Sequence, residues 1–357
     1  MIDDHRIGAG VIDAVGDVVQ RIRRAASALG GTVRLDAREE LTSRMTSTGW
    51  RPNGRASAGG SCRLLRSGDG SWIALNLARP EDIESLPALF EKELTINDGI
   101  APWSEIALCV TDSDARVIRQ RAIDLGVPVA IVGERDAGSE LVEIGDHGAA
   151  EVVDSVRSLN VVDLSSMWAG PLVGRVLADL GARVVKVEST SRPDGARQGP
   201  PDFFAALNGG KEFRGFDFRS RTEVDDLRRL IVDADVIIES SRPRALVQLG
   251  IDRHEIMNTG SVRAWLSITA HDRSEANATR VGFGDDAAAA GGLVRQTLVG
   301  PEFVGDAIAD PITGLVGAAA ILESLMSERR NTIDVSLAGA ATHVAAGVRD
   351  PLLSAST

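Results

Sequence analysis

The chain has 357 residues, of which 43% are hydrophobic and 25% charged, and it carries a formal net charge of -12. That is the composition of a globular protein with room for two domains, and it excludes disorder as the dominant state. The negative charge argues against nucleic acid as a partner, because grip on a polyanion needs clustered Lys and Arg to neutralise phosphates.

Two cysteines, Cys62 and Cys109, stand far apart in apolar surroundings with neither metal-ligand nor redox spacing, which fits a reducing cytoplasm. No stretch approaches the roughly 20 apolar residues that cross a bilayer. The opening Met1-Ile-Asp-Asp-His5 is acidic where a signal peptide is basic. The sequence therefore reads as a cytoplasmic protein, complete at its N-terminus, with no membrane partner.

Residues 1-155 predict a small α+β domain. A helix comes first, and then a hairpin in which Gly68-Asp69-Gly70 separates Cys62-Arg-Leu-Leu65 from Trp72-Ile-Ala-Leu75. A helix from Ala115 to Leu125 follows, stopped by Gly126 and leading into the strand Val127-Pro-Val-Ala-Ile-Val132. The boundary is placed near 155, after the small and polar residues Gly145-Asp146-His147-Gly148.

Residues 156-357 predict an α/β unit, because strands alternate with amphipathic helices as in a doubly wound, mostly parallel sheet. Asn160 to Ser165 is a buried strand, and Leu172, Val173, Val176, Leu177 and Leu180 recur at helical spacing up to Gly181. Arg183 to Glu188 is the next strand. Ser220-Arg-Thr-Glu223 is a capping box opening a helix with an apolar stripe of Val224, Leu227, Leu230 and Ile231. Asp235 to Glu239 and Val262 to Ile268 are further strands, a long helix runs from Pro311 to about Arg329, and Ile333 to Leu337 closes the unit.

In such a sheet ligands bind beyond the carboxyl ends of the strands, so the loops there carry the candidates. The loop Ser166-Met-Trp-Ala-Gly-Pro171 lacks a dinucleotide fingerprint and by itself reads as a tight strand-to-helix turn. Later loops carry Ser189, Asn208-Gly-Gly-Lys211, Ser240-Ser-Arg-Pro243 and His271-Asp272, whose cations and glycines suit a phosphorylated ligand or, equally, an ordinary surface. In Ile308-Ala-Asp310-Pro311-Ile-Thr-Gly314, Asp310 has the setting of a helix N-cap with Pro at the first position. A cap is the plain reading, yet a carboxylate held ionised beside the positive helix end is also a usable nucleophile toward a thioester, with Gly314 and Gly317 leaving room for a ligand or another backbone. Asp306 is the alternative. None of the histidines (His5, His147, His254, His271, His343) has metal-ligand spacing, and no GxSxG elbow is present, so neither a metal nor a prosthetic group is expected.

Val161 to Pro171, Leu177 to Glu188, Phe204 to Asn208 with Lys211, and Ala234 to Pro243 closely resemble successive blocks of the family III CoA-transferases (CaiB/BaiF family). Gly291-Gly-Leu293, Asp310 to Gly314 with Ala320-Ile-Leu322, and Ile333 to Leu337 resemble the remaining blocks of that family's Rossmann-like large domain. The resemblance implies an acyl-CoA:carboxylate CoA-transferase with Asp310 as nucleophile. Acyl-CoA and a carboxylic acid acceptor are the implied partners, coenzyme A is a substrate rather than a resident cofactor, and a homodimer is implied. It also implies CoA contacts at Met167, Trp168, Ala169, Lys211, Ser240, Ser241 and Arg242. The substrate pocket is expected near His271 and Asp285. Two departures stand out. The small-domain blocks come first, so the chain looks permuted, and Phe283 stands where the racemase branch of the family has a histidine. An acyl-CoA racemase, with His271 replacing that histidine, and a non-catalytic CoA-binding subunit are the competing readings.

Overall fold

The computed structural model describes residues 7–348 except 136, 137 and 139, so the acidic opening segment and His5 lie outside the described residues. Two helices come first, α1 (Ala9–Ala28) and α2 (Ala37–Thr48). Val11, Val15, Val18, Val19 and Ile22 recur every three or four residues, so α1 buries one stripe. Asp36 caps α2 by accepting from the N–H groups of Arg38 and Glu39, each at 3.0 Å, and Gly49 ends it in the left-handed conformation.

A small sheet follows, with antiparallel order β1 (Cys62–Arg66), β2 (Trp72–Asn76), β3 (Val129–Ile131). Helices α3 (Pro80–Glu84), α4 (Leu86–Phe90), α5 (Trp103–Thr111) and α6 (Ala115–Leu125) cover one face, where Ile73 and Leu75 pack with Leu86, Leu89, Ile106 and Ile118. The expected hairpin is present, and α6 ends at Gly126 with φ 70°.

The large sheet has seven strands: β4 (Val142–Ala149), β5 (Asn160–Leu164), β6 (Arg183–Ser189), β7 (Glu212–Phe216), β8 (Val236–Glu239), β9 (Ala264–Thr269) and β12 (Arg329–Ser336). A hairpin of β10 (Val294–Thr297) and β11 (Gly300–Phe303) stands apart from it. The order is β4-β12-β9-β8-β5-β6-β7, parallel throughout except for β4. The connecting helices are α7 (Ala169–Asp179), α8 (Pro201–Asn208), α9 (Arg221–Val232), α10 (Arg244–Gln248), α11 (Arg253–Thr259), α12 (Gly284–Ala290), α13 (Ala309–Leu325) and α14 (Leu337–Val348). Successive strand residues face opposite layers, as the pleat requires. Val161 and Ile238 pack with α1, α7 and α13, while Val162 and Ile237 pack with Leu227 of α9 and Ile256 of α11.

Two expectations change. The division near residue 155 does not hold, because α1 and α2 lie in the same core as α7 and α13, and β4 is the antiparallel edge strand of the large sheet. An edge strand leaves much of its surface in water, so its Gly, Asp and His content looked like a spacer. The small unit is the three-stranded sheet with α3 to α6. The long helix runs from Ala309 to Leu325, since Arg329 already belongs to β12.

Candidate active site

The strand order reverses between β5 and β8, with β6 and β7 built outward on one side and β9 and β12 on the other. The crevice at their carboxyl ends is therefore the topological switch point. Ser166 and Ser240 meet across it, the N–H of Ser166 donating to Ser240 Oγ at 3.0 Å. Met167 is held at φ 71° by an N–H bond to Asp194 Oδ1 (2.9 Å), and its side chain is exposed. Ser241 Oγ donates to Glu239 Oε2 at 3.1 Å, and Arg242 beside it is exposed.

The other expected CoA contacts lie inside. Lys211 Nζ donates to Asp163 Oδ2 (2.8 Å), Pro171 O (2.8 Å) and Asn208 Oδ1 (2.9 Å), which uses all three ammonium protons. It is a brace under the loop, with none left for a phosphate. Lys186 does the same work next door, donating to Asp194 Oδ2 at 2.9 Å and to Ser165 O. Gly174 passes so close that a Cβ there would lie 2.8 Å from Asp163 Oδ2. Trp168 and Ala169 are buried, and the indole packs edge-on against Phe203 with ring centroids 4.9 Å apart.

Asp310 is not the N-cap. The helix begins at Ala309 with Ile308 as its cap, so Asp310 is the second helical residue and Pro311 the third, where a missing N–H is equally harmless. The start moves earlier because Gly305 (φ 63°) and Ala307 (φ 44°) close a tight turn, and the N–H of Asp310 donates back to Ala307 O at 2.9 Å. The closeness expected at Gly314 and Gly317 is to protein: Cβ atoms there would meet Ala169 O at 2.7 Å and Leu266 Cδ2 at 2.9 Å.

The Asp310 carboxyl is partly buried against α12. A Cβ on Gly284 would fall 2.1 Å from Asp310 Oδ2, so only glycine leaves room for this carboxyl. Three more carboxyls crowd the same place. Asp285 Oδ1 accepts from the N–H of Ala307 at 2.9 Å, and Asp286 Oδ1 accepts from the N–H of Phe283 and from Asn76 Nδ2, each at 2.9 Å. Asp306 has no exposed surface and is paired with Arg44, whose Nε and Nη2 donate at 2.7 and 2.5 Å. That pairing makes Asp306 unsuitable as the alternative nucleophile. Burial, opposed by Arg44 and aided by Asp285, Asp286 and Asp306, pushes Asp310 up to about 7, so the helix end does not hold it fully ionised. Burial also pushes Asp286 up to about 7 and, with Asp306, Asp285 up to about 6.

The substrate pocket was expected near His271. This residue is buried, and desolvation with the charges of Arg280 and Arg135 pushes it down to about 3, so the ring is neutral. Its Nε2 and Asp286 Oδ2 have no partner among the described residues, and both lie within 3.6 Å of the point a Cβ on Gly282 would occupy. Phe283 is the N-cap residue of α12 and lies beneath Arg79, 5.8 Å from its guanidinium carbon.

Arg44 and Asn76 were missed by the sequence reading, because each is brought in from a distant segment with no local signature. An open depression of about 800 Å³, lined by Phe213, Asp226, Arg229 and Asp233, lies between β7 and α9, away from all of these residues. Among the described residues no cluster of three or more His, Cys, Asp or Glu forms a metal site, and no helix is long and apolar enough to cross a membrane.

The sequence profile of CoA-transferase family III matches residues 157–348. A probable fatty acyl-CoA transferase of Mycobacterium tuberculosis is 30% identical over 212 residues, covering 56% of this chain and 53% of that protein. The succinyl-CoA:glutarate CoA-transferase of Mus musculus is 30% identical over 192 residues, covering 50% and 44%. A CaiB/BaiF family protein from Brucella suis, known from its crystal structure, is 31% identical with a TM-score of 0.52, covering 56% of this chain and 57% of that one. The chain thus spans about half the length of the curated relatives it matches.

Proposed function

The chain belongs to CoA-transferase family III, and from that premise we propose that it moves coenzyme A from an acyl-CoA to a carboxylic acid, with Asp310 as the nucleophile. The observation that carries this reading is the Asp310 carboxyl itself, set in the first turn of α13 within the matched segment, with Gly284 leaving the space it fills. Arg242, exposed at the switch point, is the cation best placed for a phosphate of CoA, with Met167 and Ser240 lining the approach.

The steps balance without a redox partner. A carboxylate oxygen of Asp310 attacks the thioester carbonyl, the C–S bond breaks, and CoA thiolate leaves with the electron pair, giving an aspartyl anhydride. The thiolate then attacks the aspartyl carbonyl, forming an aspartyl-CoA thioester and releasing the donor as a carboxylate. The acceptor carboxylate repeats both steps in reverse. A pKa near 7 leaves part of Asp310 ionised at neutral pH, and a carboxylate that is poorly solvated is a stronger nucleophile than one in water.

The racemase reading needs a second acid or base for the α-proton. His271, held neutral and pushed down to about 3, is a weak base, which counts against it. The test of the transferase reading is intact-protein mass spectrometry after incubation with a panel of acyl-CoAs and then hydroxylamine. A hydroxamate on Asp310 in the wild type, absent in Asp310→Ala, is the expected result. CoA binding with no adduct from any thioester overturns the reading in favour of a non-catalytic subunit, and α-deuterium exchange without an acceptor acid overturns it in favour of a racemase.

A further inference from the structure

The turn that leads into α13 is gripped from two sides. Ala307 stands at φ 44°, a conformation that a residue with a side chain holds only when its surroundings impose it. From α12, Asp285 accepts its N–H. From α2, at the other end of the chain, Arg44 clasps both oxygens of the neighbouring Asp306. The guanidinium of Arg44 also lies 5.0 Å above the Trp168 ring, at the start of α7. Glu40, one turn earlier on α2, does not compete for Arg44, because it accepts from Arg175 of α7 at 2.7 Å.

We infer that Arg44 is a positioning residue for Asp310: it fixes the turn that carries the nucleophile, and it supplies positive charge beside the Asp310 carboxyl. This rests on the reading of Asp310 as the nucleophile. The charged groups that act on Asp310 are Arg44 from α2, Asp285 and Asp286 from α12, and Asp306 from the turn. On the elements packed along α13, Arg175 of α7 is turned to Glu40 and Arg21 of α1 to Glu323, so neither substitutes for Arg44.

Two variants of this one ion pair separate positioning from bulk structure. Asp310 attacks as a carboxylate, so losing Arg44 moves the onset of reaction to higher pH. Losing Asp306 removes a like charge and leaves Arg44 unneutralised, which moves the onset to lower pH. The experiment is the pH dependence of hydroxylamine-trapped adduct formation in the wild type, Arg44→Met, Arg44→Lys and Asp306→Asn. The midpoint should rise by about one unit in Arg44→Met and fall in Asp306→Asn. In Arg44→Lys it should stay near the wild type while the rate drops about tenfold, since lysine cannot make the two-pronged contact. Midpoints that stay put, or that move together in Arg44→Met and Asp306→Asn, overturn the inference.

A carbon-13 NMR titration of the Asp310 carboxyl in the same variants, assigned by its loss in Asp310→Asn, needs no turnover. If the wild type forms no adduct, the transferase reading fails, while these titrations still decide the role of Arg44. If Arg44→Met does not fold, Arg44→Lys and Asp306→Asn decide it by the same readout.

Discussion

Two buried clusters of charge lie on either side of α7, and they are built on opposite principles. Under the first loop, Asp163 meets Lys211 and Asp194 meets Lys186, two carboxylates to two ammonium groups, each pair supported by further hydrogen bonds. At the head of α13, Asp285, Asp286, Asp306 and Asp310 outnumber the cations beside them, with Arg44 acting on Asp285, Asp306 and Asp310 and Arg79 acting on Asp286. Charge buried in balanced pairs is inert, because each charge is neutralised by its partner. Charge buried in excess holds protons at neutral pH and leaves a carboxyl free to react. The first cluster therefore reads as scaffold and the second as chemistry.

The sharpest test exchanges one member of each. Asp310→Asn keeps size and shape while removing the proposed nucleophile, and the rate of CoA transfer is expected to fall by a factor of at least about 10³ with little change in melting temperature. Lys211→Met should do the reverse. It strands Asp163, with no exposed surface, beside an apolar chain, and the expected loss is on the order of 3 to 5 kcal/mol in denaturant unfolding. If Lys211→Met instead folded normally and lost only affinity for CoA, the two clusters would have to change roles. A third variant tests how closely the reactive cluster is fitted. Gly284→Ala places a methyl 2.1 Å from Asp310 Oδ2 and 2.4 Å from Ala307 O, and the displaced carboxyl should cost about 10² in rate, more than it costs in stability.

Much of the scaffold was legible in the sequence, because it is written in local pattern. Val161-Val162, Val184-Val185 and Val236-Ile237-Ile238 are the continuous apolar runs of strands buried on both faces, and α6 ends at the glycine that marks its stop. β4 was not legible, since an antiparallel edge strand with glycines has no such run. The helical position of Asp310 was misread, because Asp-Pro is the usual sign of a cap and the turn at Ala307 has no residue-level signal. Lys211 was misread as a ligand group because a loop lysine after glycines looks exposed, and only the meeting of Asp163, Pro171 and Asn208 around it shows otherwise. Arg44 was invisible for a simpler reason: its partner Asp306 lies 262 residues away, and no spacing rule reaches that far.

The smallest effect expected concerns Asp286, and it asks whether excess buried charge costs stability where it is not the nucleophile. Asp286 has no exposed surface, and its folded-state pKa is raised from 3.8 to about 7. The folded protein thus keeps a proton that the unfolded chain releases near pH 4, and stability drains away as pH rises from about 4 to about 7. Asparagine does not titrate. Its Oδ1 accepts from Asn76 and Phe283 as the carboxyl did, and its amide group takes the place of Oδ2, which has no partner among the described residues. Asp286→Asn should therefore stay close to the wild type at pH 4 and gain on it steadily up to about pH 7, measured by urea unfolding from about pH 4 to about pH 8. A constant difference at every pH would mean that Asp286 stays ionised in the folded protein. The reactive cluster would then carry its charge openly, and its contrast with the lysine-paired cluster would lie in partner choice alone.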